Sequence, residues 1–329
     1  MMDISVIILT YNEEIHIKRC LDRISPYVKK VFIIDSFSTD RTLAIAREYD
    51  NVISLQNKWT NYATQFNWGL ENAEIKTEWV LRLDADEYLT LELLEELKEK
   101  LPLVEPEVTG IIFPLRRVFL GKTIKRGMNQ VKLLRLFRYG KAKSEVRLMD
   151  EHIQLEEGKA IEFNHEFADD NLNNLSWWSQ KHIGYAIREA VDLLDIEFDL
   201  TKAGKTDEIK QISEQAHQKR MLKHQYAKKP LFWRSFAYFI YRYFFKLGFL
   251  EGKEGFLWHF LQGWWYRTLV DAKILEVRKE CGKNKEKVKE YISKNWGISL
   301  EEDLTNINKN GGVIYNLLTY KTAERRIAA

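Results

Sequence analysis

The first 90 or so residues alternate continuously apolar runs with segments of helical periodicity, and this alternation restricts the fold more than any other feature. Four apolar runs are typical of buried strands: Ile4–Leu9, Val31–Ile34, Val52–Leu55 and Trp79–Leu83. Helices are predicted between them, beginning near Glu13, at Thr42 and at Asn61. Strands without polar alternation, separated by helices, predict a mostly parallel sheet covered on both faces. The fold class is therefore α/β.

Polar residues follow three of these strands at the point where each strand ends. Thr10 and Asn12 follow the first strand, Asp35 the second, and Asp84 with Asp86 the fourth. Ligands of open parallel sheets bind beyond the carboxyl ends of the strands. The sequence therefore predicts one binding crevice at this edge of the sheet.

Asp84-Ala85-Asp86-Glu87 is the segment from which we predict a metal-diphosphate site. Mg²⁺ and Mn²⁺ prefer oxygen ligands and are commonly held by one or two carboxylates together with substrate phosphates. A structural alternative is an acidic turn that caps the helix predicted to begin near Leu91. The position of the carboxylates directly after the fourth strand favours the metal.

Asp35 begins a second polar segment, Asp35-Ser36-Phe37-Ser38-Thr39-Asp40. A carboxylate at a strand end can accept the N3–H of a uracil ring. Alternatively, Asp35 only finishes a strand, and Ser38, Thr39 or Asp40 caps the helix that follows. The two roles are compatible.

Three segments in combination resemble the inverting family-2 glycosyltransferases of the GT-A fold. They are Thr10-Tyr11-Asn12-Glu13, Asp35-Ser36-Phe37-Ser38-Thr39-Asp40 and Arg82-Leu83-Asp84-Ala85-Asp86-Glu87. Gln65-Phe66-Asn67 adds a similarity to the branch that builds bacterial lipopolysaccharide cores and surface polysaccharides. The resemblance is strong over about 90 residues and continues more weakly to about residue 190.

The resemblance implies a role for each matching position. Thr10, Asn12 and Glu13 would line the nucleotide, and Asp35 would read the base. Asp84 would lie near the ribose, and Asp86 would ligate Mg²⁺ or Mn²⁺.

Two later segments complete the implied site. Met149-Asp150-Glu151-His152 resembles the acceptor-side motif that supplies the catalytic base. Glu151 is the expected base, and Asp150 is its competitor. Phe163-Asn164-His165 resembles a late strand whose histidine joins the metal site, so His165 is a candidate ligand, although a structural histidine is an equal alternative.

Beyond residue 100 the regular alternation stops, and two regions are predicted. Residues 1–170 form the catalytic domain, in which 110–113 and 131–137 belong to a smaller mixed sheet. Residues 171–329 form a helical region. Four basic residues between the motifs could meet phosphate but are not assigned: Arg116, Arg117, Lys132 and Arg135.

Aromatic residues concentrate in the second region, where 16 of the 42 Phe, Tyr and Trp residues fall between Phe232 and Tyr266. On a helix, Arg234, Arg242 and Lys246 share one face. Three charges argue against a membrane span, whereas an aromatic surface with a basic stripe suits a helix lying on an anionic leaflet. We therefore predict membrane-interface helices at 231–270, with an aromatic core or an oligomer interface as alternatives.

Composition narrows the remaining possibilities. A net charge of +3 gives no indication of a nucleic-acid-binding surface. Cys20 and Cys281 form no zinc or disulfide pattern. Together with the lack of a recognisable signal peptide, this predicts a cytoplasmic protein, peripheral on the inner face of the inner membrane.

The function predicted from these features is sugar transfer from a nucleotide-diphosphate donor, UDP-linked, to a hydroxyl of a glycolipid, oligosaccharide or polysaccharide precursor. A nucleotidyltransferase or a dehydrogenase would need a glycine-rich loop after the first strand, and Thr10–Glu13 contains no glycine. An inactive, membrane-bound scaffold remains the non-enzymatic alternative.

Overall fold

A computed structural model describes residues 1–145, 152–200, 214–298 and 300. Twelve strands are defined in these ranges: β1 (Met2–Thr10), β2 (Val28–Asp35), β3 (Val52–Gln56), β4 (Trp79–Asp84), β5 (Glu87–Leu89), β6 (Val108–Phe119), β7 (Lys122–Thr123), β8 (Lys132–Arg138), β9 (Ala142–Ser144), β10 (Ile153–Leu155), β11 (Lys159–Glu162) and β12 (Phe167–Asp170). Ten of them form one sheet, with the order β3-β2-β1-β4-β8-β6-β12-β5 and with β7 and β11 beside β6. β9 and β10 form a separate antiparallel pair.

Ten helices accompany these strands in the same ranges: α1 (Glu14–Ile24), α2 (Thr42–Ala46), α3 (Tyr62–Asn72), α4 (Leu91–Lys100), α5 (Leu175–Phe198), α6 (Glu214–Ala227), α7 (Trp233–Ile240), α8 (Gly252–Trp258), α9 (Tyr266–Cys281) and α10 (Lys285–Trp296). Short π-helical segments continue α7 at Tyr241–Phe245 and α8 at His259–Trp265. The mixed α/β class with a helical C-terminal region is therefore confirmed.

The central strand of the parallel half of the sheet is buried on both faces. β1 lies between β2 and β4, parallel to both, and its residues from Ile4 to Thr10 are buried. Side chains of β1 alternate between two hydrophobic clusters, with Val6 and Ile8 in one and Ile7 and Leu9 in the other. This double burial is the reason that the strand sequence shows no polar alternation.

The smaller mixed sheet expected for residues 110–113 and 131–137 is wrong. These residues belong to β6 and β8, which extend the main sheet: β8 pairs antiparallel with β4, and β6 pairs antiparallel with β8. Leu136 and Phe137 have no exposed surface and continue the clusters on either side of β4. An open edge on β4 leaves backbone groups without partners, and β8 satisfies them.

The helical region has its own hydrophobic cluster, built mainly from α5, α9 and α10. Ala190 and Leu194 of α5 pack there with Val270 and Ile274 of α9 and with Ile292 of α10. None of the helices described here has the length and apolar content to cross a membrane. The predicted division at residue 170 stays a prediction.

The loop between β7 and β8 joins the sheet to the aromatic part of the helical region. Arg242 Nε donates to the carbonyl of Gly127 at 3.2 Å, and the Gly127 amide donates to the carbonyl of Lys246 at 2.9 Å. The Arg126 amide donates to Glu251 Oε1 at 2.9 Å. The two regions are therefore connected by backbone hydrogen bonds as well as by side-chain packing.

Candidate nucleotide-diphosphate site

The polar ends of three strands lie side by side, as the sequence predicts. Thr10 of β1 pairs in register with Asp35 of β2, and Leu9 pairs with Asp84 of β4. Thr10 Oγ1 donates to Asp35 Oδ1 at 3.0 Å. Because neighbouring strands lie about 4.8 Å apart, the three polar ends form one continuous edge.

Asp35 is the centre of a hydrogen-bond network at this edge. Its carboxylate is fully buried and accepts from the Ser38 amide at 2.9 Å, the Ser38 hydroxyl at 2.5 Å and Gln56 Nε2 at 3.2 Å, in addition to Thr10. Four donors occupy its two oxygens. Reading a base, the role predicted for Asp35, would require one of these donors to give way.

Asn12 connects the loops that follow β1 and β2. It adopts a left-handed backbone conformation, with φ of 55°, which asparagine tolerates better than most residues. Its amide donates to Ser38 Oγ at 2.9 Å, and its Oδ1 accepts from the Thr39 amide at 2.8 Å. Asn12 thus fixes the shape of the predicted nucleotide loop.

Glu13 is fixed by a buried histidine on the helix that it precedes. Glu13 Oε2 lies 2.6 Å from His16 Nδ1, and His16 Nε2 accepts from the Leu172 amide at 2.9 Å. Because Nε2 accepts, Nδ1 carries the proton and donates to Glu13. The nucleotide loop is therefore tied to the residues that follow β12.

Asp84 lies between two arginines. Arg135 Nη2 of β8 is 3.8 Å from Asp84 Oδ2, and Arg82 Nε is 3.9 Å from Asp84 Oδ1. Burial raises the pKa of the Asp84 carboxyl, but the positive charges of Arg135 and Arg82 outweigh burial and hold this pKa below its usual range. Asp84 is thus ionised at neutral pH.

Glu87 shares Arg135 with Asp84. Glu87 Oε1 is 2.5 Å from Arg135 Nη2, and Glu87 Oε2 accepts from the Asp84 amide at 2.9 Å. Burial raises the pKa of Glu87 well above its usual range, Arg135 partly offsets this, and Asp84 and Asp86 raise it further. Arg135 therefore offsets carboxylate repulsion at the centre of the site.

Asp86 faces the end of β12. Asn171 Nδ2 donates to Asp86 Oδ2 at 2.8 Å, and the Asp170 amide donates to the Asp86 carbonyl at 3.1 Å. Arg19 joins this contact, with Nη1 2.6 Å from Asp170 Oδ2. Neither Asp84 nor Asp86 caps the next helix, because Thr90 Oγ1 accepts from the Leu93 amide as the N-cap of α4. The structural alternative for these carboxylates is therefore wrong.

His165 is not brought to Asp86. Its Nδ1 is 3.0 Å from Glu96 Oε2 on α4, and its backbone amide donates to the same oxygen at 2.9 Å. Burial raises the pKa of Glu96, but hydrogen bonds from Asn164, Lys100 and His165 lower it to about 2. In this geometry His165 anchors the start of β12 to α4 rather than facing Asp86.

The carboxylate edge fits a hard divalent cation, although the parts of the chain described here contain no group of three metal-ligating side chains. Asp84 and Asp86 offer oxygen donors, as Mg²⁺ and Mn²⁺ prefer, and these ions commonly complete their coordination with substrate phosphates and water. Two protein carboxylates are therefore sufficient. The residues that would hold the ion are Asp84 and Asp86.

Three charged residues at this edge lie outside the predicted site. Arg135, which the sequence offers only as a candidate for phosphate contact, pairs with Glu87 and Asp84. Asp169 of β12 pairs in register with Glu87. Burial and the negative charge of Asp86 raise the pKa of Asp169 to about 6, although Arg117 acts in the opposite direction. Lys181 reaches the cluster from α5; burial lowers its pKa, but Tyr185 and Asp86 raise it above its usual range. β8, β12 and α5 bring these residues to the cluster from distant parts of the sequence, so local sequence gives no signal for them.

The other unassigned basic residues have structural partners. Arg116 Nε is 2.9 Å from Glu166 Oε2, Arg117 Nε is 3.8 Å from Asp169 Oδ2, and Lys132 forms an ion pair with Glu162.

Asp150 and Glu151 lie outside the described residues, but both flanks of their segment are defined. Asn67 of α3 accepts from the Ser144 amide through Oδ1 at 2.9 Å and donates to the Ser144 carbonyl at 2.9 Å. Two residues earlier, Gln65 Nε2 donates to Ser36 Oγ at 3.1 Å. In the Gln-x-Asn pattern of α3, Gln65 thus holds the loop after β2, and Asn67 holds β9, the strand before the acceptor-side motif.

Comparison with known proteins bears on the N-terminal half. Residues 5–159 match the model of glycosyl transferase family 2. This match, over slightly less than half of the chain, supports the similarity to family-2 glycosyltransferases that the front motifs predict. An uncharacterized glycosyltransferase of Rickettsia felis is 34% identical over 98 residues, 30% of this chain and 34% of the relative. The glycosyltransferase SunS from the SPbeta prophage of Bacillus subtilis is 33% identical over 81 residues, 24% of this chain and 19% of the relative.

These alignments cover about a third or less of the relatives' own length. Among solved structures, S. aureus TarS residues 1–349 in complex with UDP-GlcNAc has a TM-score of 0.43 and 14% identity, covering 90% of this chain and 92% of that one. The lipopolysaccharide and surface-polysaccharide branch stays a prediction.

Proposed function

We propose that this protein transfers a sugar from a nucleotide-diphosphate donor, UDP-linked, to a hydroxyl of a glycolipid or cell-surface polysaccharide precursor, with inversion. The observation that carries the proposal is the alignment of Thr10, Asp35 and Asp84 across three parallel strands in the region that matches glycosyl transferase family 2. Parallel sheets bind nucleotides at this edge.

The edge divides into a nucleotide part and a diphosphate part. The loops after β1 and β2, held together by Asn12 and Asp35, would receive the base and ribose. Asp84 and Asp86 would hold Mg²⁺ or Mn²⁺ against the diphosphate. A divalent ion, when bound, supplies positive charge to the leaving diphosphate. Lys181 adds a fixed positive charge to the same cluster from α5.

The acceptor hydroxyl needs a base, because it is a weak nucleophile when protonated. We assign this role to Glu151, with Asp150 as the alternative. Asp84 and Asp86 are less suited, because their carboxylates would face the metal. The two hydrogen bonds between Asn67 and Ser144 fix the end of β9, seven residues before Glu151.

The proposal is tested by the metal dependence of UDP binding. In Asp86→Asn the amide oxygen can still accept from Asn171, so the fold is retained while one negative charge is lost. UDP affinity, measured by calorimetry with and without Mn²⁺, is expected to lose most of its metal enhancement. Turnover of UDP-sugars is expected to fall at least about 10²-fold, the effect typical of removing one charge-stabilising group. Asp50→Asn, at an exposed aspartate outside these motifs, is the control. An unchanged metal response in Asp86→Asn would show that the ion binds elsewhere.

A further inference from the structure

α7 and the π-helical turn after it expose apolar side chains and bury charged ones, the reverse of an ordinary surface helix. Residues at spacings of three and four share its outer face: Trp233, Phe236, Ala237, Ile240, Tyr241, Phe244 and Phe245. Trp233 and Phe245 are 70% and 75% exposed. The charged residues of the same helix point inward, so the apolar face is the one left to the surroundings.

The inward face is held by buried polar contacts. Arg234, 5% exposed, donates to Asp271 Oδ1 of α9 from Nε at 2.8 Å and from Nη2 at 2.5 Å. Arg242, 3% exposed, donates to the Gly127 carbonyl. Two of the three residues of the predicted basic stripe, Arg234 and Arg242, are therefore buried, and only Lys246 is partly exposed, which corrects the sequence prediction. Removing one partner of a buried ion pair is strongly destabilising, so this orientation is well fixed.

The exposed apolar surface extends beyond α7 to the neighbouring turn and to α8. Ten large apolar side chains are exposed between residues 232 and 256: Phe232, Trp233, Phe236, Tyr241, Phe244, Phe245, Leu247, Phe249, Leu250 and Phe256. A second layer of rings supports them; Trp264 contacts both Phe236 and Phe239, with centroids 5.2 and 5.3 Å apart. A groove of about 520 Å³ opens on this surface between Trp233 and Phe245. Contiguous apolar surface of this kind marks an interaction site. We call these ten residues the aromatic surface.

The charges around the aromatic surface indicate its partner. Lys228 and Lys229 are exposed just before Phe232, and Lys253 is exposed beside Leu250. The acidic residues between 228 and 260 are Glu251 and Glu254. Glu251 is buried, and Glu254 Oε2 lies 3.7 Å from Lys122 Nζ. A second copy docked through the same face would bring two lysine rims together. A phospholipid leaflet instead offers hydrocarbon to the rings and phosphates to the lysines.

We propose that the aromatic surface inserts into the interfacial region of a phospholipid leaflet, with Lys228, Lys229 and Lys253 at the headgroups. Attachment is mainly hydrophobic, through Trp233 and Phe245, and anionic lipid strengthens it without being required. This surface would hold the protein peripherally on the membrane where a lipid-linked acceptor resides.

The test is co-sedimentation of the full chain with vesicles of phosphatidylcholine, alone or mixed with phosphatidylglycerol. Wild type is expected to bind both, and binding to be largely retained at 1 M salt, where charges are screened within about 3 Å. Trp233→Ser/Phe245→Ser is expected to weaken binding at least tenfold to both vesicles. Because both side chains are exposed, its thermal melting should match wild type. Leu103→Ser/Tyr139→Ser, which removes exposed apolar residues from the catalytic domain, is the control and should bind like wild type.

Lys228→Gln/Lys229→Gln separates the two contributions. About fivefold weaker binding to the anionic vesicles is expected for each lysine, equivalent to about 1 kcal/mol. Binding to pure phosphatidylcholine should be unchanged. The proposal is overturned if wild type stays in solution with both vesicles, or if Trp233→Ser/Phe245→Ser binds as tightly as wild type. A wild-type dimer that this variant cannot form, without vesicle binding, would assign the surface to a second copy.

Discussion

Arg135 is the residue whose removal tests the electrostatics of the site most directly. Its Nη2 lies 2.5 Å from Glu87 Oε1 and 3.8 Å from Asp84 Oδ2, so both carboxylates share this cation. The side chains of Arg135 and Glu87 are 9% and 5% exposed. Arg135→Met keeps much of the side-chain volume and removes the charge. Breaking a buried pair from one side costs about 3–5 kcal/mol. At about 2–4 °C per kcal/mol, the melting temperature should fall by about 6–20 °C at neutral pH.

The loss should depend on pH. Without Arg135, the pKa of Glu87 in the folded state rises further above its unfolded value, so the folded state binds more protons. Stability then falls as pH rises, by at most about 1.4 kcal/mol per pH unit for one proton. The difference between wild type and Arg135→Met, followed by thermal melting, should therefore be smaller at pH 5 than at pH 8.

Two variants complete this measurement. Lys132→Met removes another cation from β8. Because Glu162, the ion-pair partner of Lys132, is half exposed, this change should alter the free energy of unfolding by at most about 1 kcal/mol. Glu87→Gln/Arg135→Met removes both charges and should recover much of the loss. An equal deficit at pH 5 and pH 8, with no recovery in the double variant, would show that Arg135 acts through packing and refute the electrostatic reasoning.

Two further outcomes follow from single contacts, one between the two regions and one within residues 1–170. Gly127→Ala should destabilise the chain by about 1–3 kcal/mol more than Gly121→Ala, measured by chemical unfolding. Both glycines have a positive φ, 80° and 77° respectively. An added Cβ at Gly127 would lie 2.0 Å from the His259 ring, whereas no atom lies within 4 Å of an added Cβ at Gly121. Equal effects would mean that the ring moves aside freely. Asn67→Ala should cost about 1–3 kcal/mol of local stability and increase amide hydrogen exchange at Ser144, whereas Asn72→Ala, at an exposed position on the same helix, should not. Unchanged exchange at Ser144 would show that its strand is held by other contacts.

The parallel half of the fold could be predicted from the sequence because β1, β2 and β4 are largely apolar on both faces and each is followed by, or ends in, a polar residue. Thr10, Asp35 and Asp84 therefore meet where expected. The positions of β6 and β8 in the sheet are harder to predict, because their apolar pattern identifies them as strands but does not show which edge of the sheet they extend. That edge is set by the exposed backbone of β4, a property of the assembled sheet.

Charged residues show the same limit. The sequence predicts Arg234 and Arg242 at the surface, because a charge on an aromatic helix is usually solvated. Their burial depends on Asp271, 37 residues after Arg234, and on the Gly127 carbonyl, which no local pattern reveals. Similarly, Asp169 reaches Asp86 only because β12 pairs with β5.

The position of β12 also determines when the site can form during synthesis. β12 lies inside the sheet between β6 and β5, yet it is made about fifty residues after the end of β6 and after the segment that matches the family. Until Asp170 has left the ribosome, β5 lacks its partner and Asp86 lacks the contacts of Asp170 and Asn171. A fragment ending at residue 159 would therefore contain every front motif of the family without the strand that completes the carboxylate edge. The natural folding unit extends at least through β12, and through α5 where Lys181 is needed.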